Sequence, residues 1–413
     1  MKNPIESSGS LAGLRVLDLS RVLAGPWSAQ LLADLGADVV KLERPQTGDD
    51  TRAWGPPWLK DADGRDTSEA AYYLCANRNK RSVTADLSHP DGRRIVQRLA
   101  ASADILVENF KVDGLRQYDL DYESLSKENP GLIYCSITGF GQTGPYAARP
   151  GYDFLVQGMG GLMALTGLPD GADGGGPIKT GVALVDVMTG LYATVAILAA
   201  LAHRERIGQG QHIDLALLDV QVATLANQAL NFLVSGRPPQ RLGNAHLNIV
   251  PYQDFPTADG HVIIAVGNDG QFARLCAVLG RPQWSIDERF ATNPRRVANR
   301  MPLVDLIGKV TVERTTDAWV SVMDAAGVPC GPINSLEKVF SDPQVQARGL
   351  RIEMQHPLGV AVPLVANPIR MSATPVDYRQ APPCLGQHTE EILNGWLGMD
   401  GSEIAELRAV GAL

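Results

Sequence analysis

Residues 14–43 read LRVLDLSRVLAGPWSAQLLADLGADVVKLE, and their pattern decides the architecture. Leu14 to Leu19 has the apolar run of a buried strand. Pro26 to Leu35 reads as a helix, with proline in the first turn, where no N–H is needed, and Gly36 as its stop. Asp38 to Glu43 returns as a second strand. Strand, helix and strand in this order make a βαβ crossover, and strands joined this way run parallel. The turn after the first strand is SRVLAGPW rather than GxGxxG, so a dinucleotide site is not expected.

The alternation continues outward. Arg93 to Ala101 reads as a helix, Ala103 to Val107 and Gly131 to Thr138 as strands, and Gln211 to Leu215 as a strand leading into one helix from Leu217 to Leu233. The expected class is therefore α/β, with a Rossmann-like large domain built on a parallel sheet. Ser235 to His246, SGRPPQRLGNAH, looks like a domain crossing. A strand at Gly260–Val266, a helix at Asp269–Leu279 and a helical stretch at Arg295–Ala325 then suggest a smaller α/β domain. The last helices are expected at Thr389–Trp396 and Gly401–Val410. The expected division is 1–225 for the large domain, 226–330 for the small one, and 331–413 for a C-terminal segment returning to the large domain.

With 413 residues the chain exceeds one ordinary core. Its net charge of -8 and pI ≈ 5.4 disfavour nucleic acid or an anionic membrane as partner, while leaving room for a local basic pocket. The five cysteines are dispersed without CxxC, and the seven histidines show no metal spacing, so neither disulfides nor a metal site is expected. MKNPIESSGS has no apolar leader core, and a cytoplasmic protein is the expectation.

GVALVDVMTGLYATVAILAALA, residues 181–202, holds a single charge, Asp186. Ionising a carboxylate in such surroundings is expensive unless something holds or uses it. Helical spacing aligns Asp186 with Gly190, Ala193, Ala196 and Ala200, a small-residue stripe that lets another backbone approach. The segment is near membrane-spanning length. It stands alone, however, in a chain of mean hydropathy -0.06, and a buried helix is expected instead. On this segment alone, helix capping and catalysis are equally open roles for Asp186.

Several motifs line up in order along the chain: SRVLAGPWSAQLLADLGADVVKLERP, NRNKRSVTADL, ADILVENF, GFGQTGPYAARPGYD, VALVDVMTGLYA, RERIGQGQHIDLALLD, GVPCGPINS and APPCLGQHT. Together they resemble the class III CoA-transferases, the family of formyl-CoA transferase. GDDTRAWGPPW, IVPYQDF, GNDGQFA and EKVFSDPQVQARGL resemble, within it, the branch that moves CoA from succinyl-CoA to a dicarboxylic acid such as glutarate or hydroxymethylglutarate. Malate, mesaconate and carnitine-type acids are the alternative acceptors.

The resemblance implies Asp186 as the catalytic carboxylate, with CoA and acyl-CoA as substrates rather than tightly bound cofactors. It implies CoA contacts at Val22, Ala24, Arg44, Lys80, Arg81, Asn109, Phe110 and Tyr152, and an interlocked homodimer. Gly25, Gly158 and Gly160–Gly161 are candidate oxyanion donors. Arg52 and His246 are candidates for the acceptor's second carboxylate. An acyl-CoA racemase of the same family carries histidine where Tyr152 stands. A phenol, with a reference pKa of ~10, is a poor base at neutral pH, so racemisation is disfavoured.

Overall fold

The computed structural model describes residues 8–413 and divides into two compact units. The first comprises residues up to 162, 180–230 and 344–413. Its sheet is built from β1 (Arg15–Asp18), β2 (Asp38–Glu43), β3 (Lys80–Thr84), β4 (Ile105–Glu108), β5 (Ile133–Thr138) and β6 (Gln211–Ala216). The order is β3-β2-β1-β4-β5-β6, and every pairing is parallel. This is the doubly wound Rossmann order, whose direction of winding reverses between β1 and β4.

Alternation within the strands explains the layers. Val16, Val39, Ile105 and Ile133 point to one face, where α1 (Ala24–Asp34) and the long α2 (Leu184–Ile207) cover them. Leu17, Val40, Leu106 and Tyr134 point to the other. There the helix Pro90–Ala101 and the C-terminal helices Thr389–Leu397 and Gly401–Ala409 form the cover. Strands apolar on both faces need helices on both sides.

Strand β3 lies at an edge of this sheet, and the end of the chain closes it. Asn79 N–H donates to the Gln380 carbonyl at 2.8 Å, His388 N–H to Ser82 O at 2.9 Å, and Thr84 N–H to Thr389 Oγ1 at 3.2 Å. The segment NRNKRS, whose Lys80 and Arg81 were expected as CoA contacts, thus leads into a strand.

The second unit comprises residues 163–179 and 231–343. It has a three-stranded antiparallel sheet, ordered Cys330–Pro332, His261–Ala265, Tyr252–Pro256, over helices that include Asp269–Val278, Arg300–Thr311 and Thr316–Ala325. The expected boundaries at 226 and 330 are corrected. Ile263 pairs with Gly331, which carries this unit past residue 330. Residues 163–179 join it through Gly243 N–H to Gly167 O (3.1 Å) and Arg241 to Ala164 O (3.1 Å). The helix expected from Leu217 to Leu233 is broken: Leu217–Thr224 ends, and Ala226, at φ 46°, begins a second helix to Ser235.

Candidate active site

The site lies at the carboxyl ends of β1, β4 and β5, beside the point where the strand order reverses. This is where open α/β sheets leave a crevice. A cleft of ≈ 210 Å³ is lined by Arg21–Ala24 after β1, Asn109–Val112 after β4 and Ile137–Gly139 at the end of β5. Asp50, Ala147, Arg149–Tyr152, Asp186 and Leu217 complete it. A neighbouring cavity of ≈ 310 Å³ is lined by Arg44, Asp49, Ser88 and Tyr118, and shares Arg21 and Phe110 with the first.

Asp186 stands in the first turn of α2. The residue before this helix supplies no side-chain cap, and the cap comes from a distance. Asp153 Oδ2 accepts Val185 N–H at 2.8 Å and Asp186 N–H at 3.4 Å. The capping role open to Asp186 therefore belongs to Asp153, and the Asp186 side chain is left to the cleft. Burial, then the nearby Asp153 charge, pushes the Asp186 carboxyl up to about 7. The macrodipole favours the anion here, but desolvation outweighs it.

Close backbone approaches fix this end of the site. A Cβ on Gly190 would lie 2.8 Å from Ala24 O, so α2 packs directly on α1. Ser28 Oγ and Thr194 Oγ1 meet at 3.1 Å across the same contact. Gly139 and Gly151 are similarly matched, a Cβ on Gly151 falling 2.4 Å from Gly139 Cα. That contact draws the Tyr152 segment to the end of β5.

The turn after β1 is strained. Val22 has φ 70°, a left-handed conformation that costs a β-branched residue about 1–2 kcal/mol. Asn109 clamps the preceding residue from both sides, accepting Arg21 N–H at 2.9 Å and donating to Arg21 O at 2.7 Å. Leu23 offers no side-chain cap to α1, and the helical ladder opens with Trp27 N–H donating to Leu23 O at 2.7 Å. The N–H groups of Ala24 and Gly25 precede that ladder.

Most sequence-expected residues gather here. Asp186, Val22, Ala24, Asn109, Phe110 and Tyr152 line the first cleft, Tyr152 being 65% exposed. Arg44 lines the second cavity and pairs with Asp50 at 2.7 Å, as does Arg21 at 2.9 Å. Gly25 sits in the first turn of α1 against Ser20, where a Cβ would be 2.2 Å from Ser20 Oγ. Of the other oxyanion candidates, Gly160 N–H is used by Val156 O, Gly161 N–H by Gly158 O, and Gly158 lies within the helix Asp153–Met159.

Three expected contacts fall on side chains already committed inside the fold. Lys80 is wholly buried, its ammonium bonded at 2.9 Å to Asp18, to Pro26 O and to Asn77. Arg81 is buried against Asp38 and Glu391. Arg52 is buried with Glu43 Oε2 at 2.7 Å, Glu43 Oε1 at 2.9 Å, Glu69 at 3.1 Å and Pro383 O at 3.0 Å. Each of these cations is committed to an internal partner. His246 belongs to the second unit, accepts Asn248 N–H at 3.1 Å and packs on Tyr252.

Two residues escaped the sequence reading. Asp153 was visible only as the third letter of GYD. Arg149 lines the Asp186 cleft, with its guanidinium over Tyr146 and Phe140, at 4.6 and 5.4 Å from the ring centroids. With Arg21 and Lys111 it gives the cleft a basic wall in an acidic protein.

Comparison with known proteins gives the family. The family described as CoA-transferase family III matches residues 11–389. Succinate–glutarate CoA-transferase of Agrobacterium fabrum is 56% identical over 383 residues, 93% of this chain and 94% of that protein. Human succinyl-CoA:glutarate CoA-transferase is 42% identical over 403 residues, 98% of this chain and 90% of that one. The crystal structure of a CAIB/BAIF family protein from Brucella suis superposes with a TM-score of 0.82 at 52% identity, covering 94% of this chain and 99% of that one. An α/β chain with a six-stranded parallel sheet, a carboxylate-bearing cleft at its switch point and these relatives is a member of CoA-transferase family III.

Proposed function

We propose that this chain moves CoA from succinyl-CoA to a dicarboxylate such as glutarate, with Asp186 as the group that is acylated. The observation that carries the reading is a carboxylate with its pKa near 7, lining a cleft walled by Arg21, Lys111 and Arg149. The activities named for the Agrobacterium and human relatives support the choice of substrates. In this reading the phosphates of CoA lie toward Arg44 and Arg21, and its thioester reaches Asp186 past Phe110 and Val22.

The chemistry is an exchange of carboxylate for thiolate. An Asp186 oxygen bonds to the thioester carbonyl carbon, and the C–S bond breaks, leaving a mixed anhydride and CoA thiolate. The thiolate attacks the aspartyl carbonyl, releasing succinate and leaving an aspartyl-CoA thioester. The acceptor carboxylate attacks that thioester and expels the thiolate, giving a second anhydride. Attack of the thiolate on its glutaryl carbonyl restores Asp186 and gives glutaryl-CoA. Charge is conserved at each step and no proton has to move.

Energetics favour the observed burial. With ordinary reference values, a carboxylate expelling a thiolate is uphill by ~4–5 pKa units, roughly 6 kcal/mol. An Asp186 raised to about 7 narrows the gap to a thiol of ~8.5 to ~1.5 units, about 2 kcal/mol. One oxyanion donor contributes ~3 kcal/mol, and the N–H groups of Ala24 and Gly25 are suited to that role.

Asp186→Asn is expected to abolish transfer while CoA binding persists, with thioester products read by mass over a panel of mono- and dicarboxylates. Mass spectrometry of the wild type after succinyl-CoA should place an adduct on the peptide containing Asp186. Full activity in the Asn variant would overturn the reading.

The proposal extends to assembly as a homodimer. Val182, Leu191, Val195, Val222 and Leu230 of the first unit are 40–64% exposed, an apolar surface that a second copy would cover.

A further inference from the structure

Resting on the transferase reading above, we infer that Asp49, paired with Lys41, is a positioning residue that holds the Val22 turn in its left-handed form and so sets the thioester against Asp186. Something must hold Val22 at φ 70°, because a β-branched residue leaves that region when free to do so. Its N–H is shared by both oxygens of Asp49, each at 3.3 Å. The same carboxylate accepts Thr51 N–H at 2.9 Å and Thr51 Oγ at 2.7 Å, and pairs with Lys41 Nζ at 2.9 Å. Lys41 also donates to Ser20 O at 2.9 Å. One buried ion pair therefore holds the turn at both ends, the carbonyl of Ser20 and the amide of Val22.

The pair borders the neighbouring cavity, whose lining includes both Lys41 and Asp49, and not the cleft of Asp186. Both side chains are fully buried, and neither residue lines the Asp186 cleft, whereas Val22, Leu23 and Ala24 do. Burial raises the Asp49 carboxyl, but Lys41 and the Thr51 donors outweigh it and hold it at about 2. The anchor is thus charged throughout the range in which the enzyme works. The neighbouring Asp50 meanwhile orients Arg21 and Arg44. Two successive carboxylates divide the work, Asp49 on the backbone of the turn and Asp50 on the cations beside it.

A double-mutant cycle tests the inference, because glycine adopts the left-handed conformation without strain and needs no anchor. The turnover number and the calorimetric Kd for CoA are measured for wild type, Asp49→Asn, Val22→Gly and the double variant. Asp49→Asn should lower kcat by about thirtyfold when residue 22 is valine, since small misplacements of a reacting group are costly. With glycine at 22 the same substitution should cost no more than about threefold in kcat, while its effect on Kd, which reports the cavity that Asp49 borders, should be the same in both backgrounds. An equal loss of kcat in both backgrounds overturns the inference, since a role in general stability would not depend on residue 22. If Asp49→Asn fails to fold with Lys41 left unpaired, Lys41→Met/Asp49→Asn takes its place in both backgrounds and is read the same way. Absence of transfer by the wild type, or transfer by Asp186→Asn, would instead overturn the transferase reading itself.

Discussion

At the scale of single residues, the raised pKa of Asp186 fixes two pH dependences. The ionised form is the nucleophile, so kcat/KM should rise with pH and reach half its plateau near 7. Asp153→Asn keeps an acceptor for Val185 N–H but removes the like charge, and should move that midpoint down by up to about one unit. A midpoint that stays in place would exclude Asp153 as a cause. Stability runs the other way. An unfolded aspartate titrates near ~3.9, so between that pH and about 7 the folded chain holds a proton that the unfolded chain has lost. Stability from this group therefore falls as pH rises through the window. Calorimetry should find Asp186→Asn gaining on the wild type in melting temperature from pH 5 to pH 8.

The same scale shows what the sequence could reveal. Asp186 was legible because a charge alone in an apolar run has few reasons to be there. Lys80, Arg81 and Arg52 were misread because a basic residue in a string carries no record of its partner. Lys80 answers Asp18, 62 residues away, and Arg52 reaches Pro383 across 331. Once paired inside, such cations are unavailable to an anionic ligand. Arg149, one of the three cations that line the cleft, gave no local signal at all.

Among the elements, the contact between α1 and α2 governs the site, because Ala24 and Asp186 open these two helices. The small-residue stripe foreseen on α2 is present as Gly190, Ala193 and Ala200, with Thr194 and Ile197 beside them; Ala196 is half-buried at its edge. Gly190→Val should force the helices apart, since even a Cβ there meets Ala24 O at 2.8 Å and Trp27 at 3.1 Å. The expected loss is about 1–3 kcal/mol of stability, with a fall in kcat larger than any change in CoA affinity. Denaturant titration and steady-state kinetics check both, and unchanged turnover would separate this contact from the site. The break at Ala226 was invisible to hydropathy, because the apolar run continues across it. Strand β3 was hidden by charges that the fold buries.

For the whole molecule, an assembly of two chains predicts a sedimentation mass of twice 44.3 kDa and a melting temperature that rises with protein concentration. A concentration-independent mass of one chain would exclude it. The parallel sheet was legible from alternating strands and helices. The recruitment of residues 163–179 to the second unit was not, because it depends on contacts with Arg241 and Gly243 far along the chain.

The closure of β3 by residues 380–389 has a consequence for biosynthesis. Translation is vectorial, and amino-terminal portions ordinarily collapse first. Here the strand at one margin of the nascent sheet waits for residues 380–389, which follow it by about three hundred residues. Throughout that interval its unpaired amides are open to adventitious strand pairing with other polypeptides. A ribosome stalled short of Gln380 would therefore leave a product prone to aggregate, and steady elongation through that segment becomes part of how this enzyme reaches its native state.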